Sequence, residues 1–109
     1  MKEIITFELN NCKVPFEDWL CKLDNTVKRR IAQRLARLEE DDYYGDCKAI
    51  DNEIKELRFQ FGSGYRIYFH ETNNIIILLL CGGDKSTQSK DVQKAKDYLK
   101  IWRKQNYGT

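Results

Sequence analysis

Two arginines set among aromatics pose the chemical question. In the stretch ELRFQFGSGYRIYF, Arg58 and Arg66 stand on either side of a Gly-Ser-Gly tip. A guanidinium is a planar fork of donors, so a pair held on neighbouring strands could grip two phosphate oxygens or stabilise a pentavalent phosphorane. The same arginines could instead pair with Glu56 and nearby acids. Lys85 lies in CGGDKSTQ, between an apolar run and a helical pattern, where backbone N–H groups and an ammonium could also meet an anion. This is no Walker loop, because Asp84 stands where that motif needs a glycine before the lysine. Cys12, Cys21, Cys47 and Cys81 are scattered without a CxxC pair, and His70 is the sole histidine. Reduced thiols are therefore expected, with no metal set and no cofactor.

The elements that must position these groups follow from hydrophobic period. Ile5, Phe7 and Leu9 alternate with Thr6 and Glu8 as in a half-buried strand. After Pro15, a favoured first-turn residue, Phe16, Trp19, Leu20 and Leu23 form one helical stripe. Asp24, Asn25 and Thr26 offer caps to a second helix whose inner face is Val27, Ile31, Leu35 and Leu38. The acidic segment EEDDYYGD with Gly45 ends it, and a loop is expected to follow. From Ile54 the period becomes two, with Leu57, Phe59 and Phe61 facing inward. The next strand places Tyr65, Ile67 and Phe69 inward, leaving Arg66, Tyr68 and His70 outward. IIILLLC, apolar on both sides, reads as a strand covered on both faces. Gly82-Gly83 ends it, Ser86 to Ser89 offer caps, and Val92, Ala95, Leu99 and Trp102 line a final helix. The order βααβββα predicts one α+β domain over residues 1–109, a helical hairpin packed on a small, mostly antiparallel sheet with a C-terminal helix.

A three-residue tip sets Phe61 opposite Tyr65, which pairs Phe59 with Ile67 and Leu57 with Phe69. The outward face then pairs Gln60 with Arg66, Arg58 with Tyr68 and Glu56 with His70 as an open polar lattice.

Charge is polarised. The chain of 109 residues carries a net +2, but residues 28–38 hold five basic groups and no acid, while residues 39–56 hold eight acids and two basic groups. A local positive field of this kind suits a polyanion or an acidic protein segment. The longest apolar run is seven residues and Glu3 and Glu8 interrupt the amino terminus, so neither a signal peptide nor a membrane span is expected, and a cytoplasmic location is.

FEDWL, RIAQRLARL, KELR, GSGYRIYF and LLLCGGDKSTQSKDVQKA, together with Gly45-Asp46, span nearly the whole chain. In this order they resemble the RelE/ParE toxin superfamily, and within it the HigB-like addiction module killer proteins. The resemblance implies a type II toxin held inactive by a cognate helix-turn-helix antitoxin, acting on mRNA at the ribosome by metal-independent cleavage. It implies that Arg66 is the strand arginine of the site and that Lys85 is the basic residue after the last strand. Arg58 and Lys55 become substrate or ribosomal RNA contacts, joined by Gln60 and Lys90. The tyrosine or histidine often found near the carboxyl end is replaced here by Ser89-Lys90-Asp91-Val92, so acid–base work falls to Lys85, Asp84, Tyr68 or His70. ParE-like relatives share the scaffold but poison DNA gyrase without cutting RNA, and a binding module without catalysis is a further alternative.

Overall fold

The computed structural model describes residues 1–107; Gly108 and Thr109, the end of the expected domain, lie outside them. The elements are β1 (Glu3–Thr6), α1 (Pro15–Leu20), α2 (Asn25–Asp41), β2 (Cys47–Ala49), β3 (Lys55–Arg58), β4 (Arg66–Thr72), β5 (Ile76–Gly83), a 3-10 turn at Lys85–Thr87 and α3 (Gln88–Tyr107). They build an α+β fold around a five-stranded sheet in the order β1-β5-β4-β3-β2, in which only the β1–β5 pair is parallel.

The sheet separates two apolar layers. On one face Phe16, Val27, Ile31 and Leu38 from α1 and α2 pack on Leu57, Ile67, Phe69 and Leu79. On the other, Ala95 and Leu99 of α3 pack on Phe7, Tyr68, Leu78 and Leu80. β5 feeds both layers, as its unbroken apolar run requires. A bulge helps it do so. Tyr68 opposes Cys81 but Phe69 opposes Leu79, so Leu80 is the extra residue, and Leu80 and Cys81 both enter the α3 layer.

The structure corrects four expectations. The loop after α2 contains β2, a short edge strand antiparallel to β3. The β3–β4 register differs by two residues: Leu57 faces Ile67 and Arg58 faces Arg66, in place of Leu57 with Phe69 and Arg58 with Tyr68. The connection is a wide loop closed by Phe59 N–H donating to Tyr65 C=O at 2.9 Å, with Phe61 folded back against Tyr65 and beneath Arg30. Because side chains alternate with period two, a two-residue shift keeps every residue on its expected face. Third, the outward face of β4 is not open: α3 covers it, since its own apolar stripe needs a partner once α1 and α2 occupy the first face. Fourth, Asp84 caps the turn before α3 in a reciprocal box with Thr87, where Ser86 to Ser89 were expected to serve. Among the described residues no helix is long and apolar enough to cross a membrane.

Candidate functional site

Arg58 and Arg66 are direct cross-strand partners and therefore share the α3 face of the sheet. Their surroundings differ. Arg58 sends Nε and Nη2 to Asp46 Oδ1 at 3.1 and 2.8 Å, and Gln60 Nε2 donates to the other oxygen of the same carboxylate. Those hydrogen bonds, from Arg58 first and Gln60 next, hold Asp46 below its usual carboxylate range. Arg66 donates from Nη1 to Glu56 Oε1 at 3.3 Å, and Gln88 Nε2 donates to Glu56 Oε2 at 3.0 Å. Glu56 is fully buried, while 14% of the Arg66 side chain remains exposed. Arg66 Nε is buried without a protein partner among the described residues.

Tyr68 follows Arg66 on the same face and is sealed under α3, its hydroxyl buried and without a protein partner among the described residues. Burial raises its pKa strongly, and the nearby charges of Glu56 and Asp91 add to that. A phenol so placed holds its proton and has no path to a substrate in this conformation. His70 lies four residues beyond Arg66, about 13 Å along an extended strand. Its Nδ1 is 2.6 Å from Glu53 C=O and its ring is 6.4 Å from that of Trp102, at the opposite end of α3. Lys55 is on the other face, 3.6 Å from Glu71 and over the Tyr44 ring. The sheet therefore brings together Arg58, Gln60 and Arg66 and keeps His70 and Lys55 apart from them.

Lys85 reaches the same end of the sheet by a different route. Arg66 is in register with Gly83, and two residues later Lys85 N–H donates to Ser63 C=O at 3.3 Å in the hairpin tip. Gly64 has φ +75°, a backbone conformation that favours glycine, and an added Cβ there would crowd the Lys85 Cβ at 3.3 Å. The Lys85 side chain is exposed and, among the described residues, paired with no acid. Asp84 beside it accepts from Ser86 N–H at 2.9 Å and Ser86 Oγ at 2.6 Å, bonds that lower its pKa and commit the carboxylate to capping. Lys90 is exposed one turn into α3.

Gln88 and Asp91 complete the surroundings. Gln88 belongs to the quoted CGGDKSTQ, yet nothing in its type says that it will reach Glu56. Asp91 is 5% exposed, receives the Thr87 hydroxyl, and lies where a Cβ on Gly83 would approach its Oδ2 to 1.8 Å. A Cβ on Gly82 would meet the Trp19 ring at 2.2 Å on the other face. The two glycines thus let α1 and α3 close onto the strand end from opposite sides. A cleft of about 470 Å³ adjoins these surroundings: Gly83, Asp84, Thr87 and Asp91 line it together with Trp19, Lys22, Gly82, Lys94 and Tyr98, and no arginine does. Among the described residues no group of three or more His, Cys, Asp or Glu could hold a metal ion.

Residues 18–100 match the family model described as "Phage derived protein Gp49-like (DUF891)". The chain belongs to this Gp49-like family. The family is toxin-like and related to addiction module killer proteins, which fits a toxin with an antitoxin partner. A protein of Haemophilus influenzae, described only as uncharacterized, is 46% identical over 82 residues, covering 74% of this chain and 82% of the relative. The matched region of the Gp49-like chain includes every residue of the arginine site.

Proposed function

We propose that this Gp49-like protein is a RelE-like toxin of a type II toxin–antitoxin pair that cuts mRNA on the ribosome without a metal. The observation that supports this reading is the start of β4 and the end of β5, where a partly exposed Arg66 and an exposed Lys85, paired with no acid among the described residues, flank the Gly-Ser-Gly tip. Cleavage needs a base to take the 2′-hydroxyl proton, attack of that oxygen on phosphorus, and a proton for the leaving 5′-oxygen. Arg66 and Lys85 supply positive charge to the phosphorane. Lys85 is also the candidate proton donor best placed, because Asp84 is spent on a cap, Tyr68 is sealed and His70 is remote. Arg58, Gln60 and Lys90 extend the contact surface for RNA, and Lys55 does so from the other face.

The antitoxin would dock on α2. Arg30 stacks over Phe61 at 4.3 Å and Arg37 over Tyr43 at 4.0 Å, and both remain exposed, whereas Arg34 is spent on the carbonyls of Tyr44, Asp46 and Arg58. The acids of residues 39–42 follow directly and disfavour a polyanion on the same surface.

The test is induced expression followed by mapping of transcript 5′ ends. Growth arrest with new ends in wild type, lost in Lys85→Ala and Arg66→Lys, is the expected result. The scarcity of free proton carriers favours one competitor, a ParE-like toxin that inhibits DNA gyrase. Intact transcripts with reduced plasmid supercoiling would establish that competitor instead.

A further inference from the structure

We infer that Glu56 is a positioning residue that fixes the direction of the Arg66 guanidinium, a role that rests on reading Arg66 as the phosphate-contacting group. Arginine has a long side chain whose rotamer freedom works against a fixed donor geometry. Glu56 removes that freedom from inside the fold. Its carboxylate is fully buried and its two oxygens are held by different elements: Arg66 Nη1 of β4 at 3.3 Å and Gln88 Nε2 at the start of α3 at 3.0 Å. The acceptor therefore cannot follow the guanidinium if it swings.

Gln88 is itself anchored. The Asp84–Thr87 cap and the Thr87–Asp91 bond lock the first turn of α3 over Gly83, which is the register partner of Arg66. With Nη1 held and Nε buried, Nη2 is the arm of the guanidinium that has no protein partner among the described residues and is not sealed from solvent. Pairing with Glu56 weakens the positive field at the site but gives it a direction, and Lys85, paired with no acid among the described residues, supplies charge at the same end of the sheet. The Arg58 pair differs in burial: its carboxylate, Asp46, also has both oxygens engaged, by Arg58 and Gln60, but is about one-third exposed to water.

The test uses the full chain with Glu56→Gln, which keeps shape and removes the charge. Two readouts are taken. The first is the ¹⁵N–¹H signal of the Arg66 side-chain Nε–H, assigned by its disappearance in Arg66→Lys. Its exchange with water should accelerate about tenfold or more when the guanidinium is released to sample open states. The second is cleavage of a short mRNA on programmed ribosomes, where kcat should fall about 100-fold with KM within a factor of about two, as expected for a misplaced group that still binds. Unchanged Nε–H exchange, or a raised KM at constant kcat, overturns the inference. If wild type itself leaves RNA whole, the nuclease reading fails and the Nε–H measurement alone decides whether Glu56 positions Arg66. Should Glu56→Gln not fold, Gln88→Leu replaces it. That variant, at the half-buried Gln88, frees one oxygen of the buried Glu56 carboxylate and should accelerate the same exchange, and no acceleration there also overturns the inference.

Discussion

Arg58–Asp46 and Arg66–Glu56 are the same chemical pair on adjacent strands and the same sheet face, yet one is at the rim and the other beneath a helix. The rim pair is about one-third exposed on both sides, whereas the inner pair combines a fully buried carboxylate with a mostly covered guanidinium. In water an ion pair gains little, because solvent screens it and the side chains resist being fixed. Under α3 the carboxylate has no water to fall back on, so its partners determine both its energy and its geometry. The difference shows that a charge on an exposed edge can serve solubility alone, but that a charge buried on this sheet must be answered by named donors.

The largest effect expected from this contrast is in Arg66→Ala. Leaving Glu56 buried with only Gln88 should cost about 3 kcal/mol or more in urea unfolding, and Arg58→Ala should cost clearly less. Equal losses would break the comparison. For the same reason Arg66→Lys, which keeps a cation for Glu56, is the cleaner probe of cleavage.

Next in size is an acid effect at a third site, which separates burial from function. Burial works to raise the Glu71 carboxyl, but hydrogen bonds from the Tyr44 hydroxyl and Lys2 Nζ outweigh it and leave its pKa lowered. A carboxyl depressed in the folded state stabilises above its unfolded value of about 4.5 and loses that contribution as pH falls through the folded value. Melting temperature should therefore drop below about pH 4.5 in wild type and drop less steeply in Glu71→Gln, with no change in cleavage at neutral pH.

Tyr68→Phe should be smaller still. Its hydroxyl is buried without a protein partner among the described residues, so deleting it removes a desolvated group and should change stability by no more than about 1 kcal/mol, in either direction. A large loss of cleavage with stability kept would make Tyr68 a participant and would require α3 to lift. The smallest effect is expected for Asp46→Asn, which should slightly flatten the acid limb of the stability curve, since the depressed Asp46 also stabilises only above its unfolded pKa. A loss matching that of Arg66→Ala would show that the rim pair is not a solvated one.

Much of this architecture is legible along the chain. Period-two runs gave the faces of Leu57, Phe59, Ile67 and Phe69, the 3.6 period gave Val27, Ile31 and Leu38, and the doubly apolar run gave β5. These hold because side-chain direction is a local property of helix and strand. Arg58 and Arg66 stood out for the same reason, and their shared face survived an error in register because that error was even. β2 escaped because its three residues, Cys47–Ala49, are too few to show a period.

What lay beyond the sequence was decided by contacts between residues far apart in it. Whether the face of Arg66, Tyr68 and His70 stays open depends on where α3 lands, and that is set by which apolar surface is left once α1 and α2 have packed. From there follow the sealing of Tyr68, the reach of Gln88 to a carboxylate 32 positions away, and the two glycines that let helices approach from both sides. The sequence by itself determined which residues face which way. Only the tertiary structure decided which of those faces meet water, because burial is a property of the assembled layers and not of any one strand.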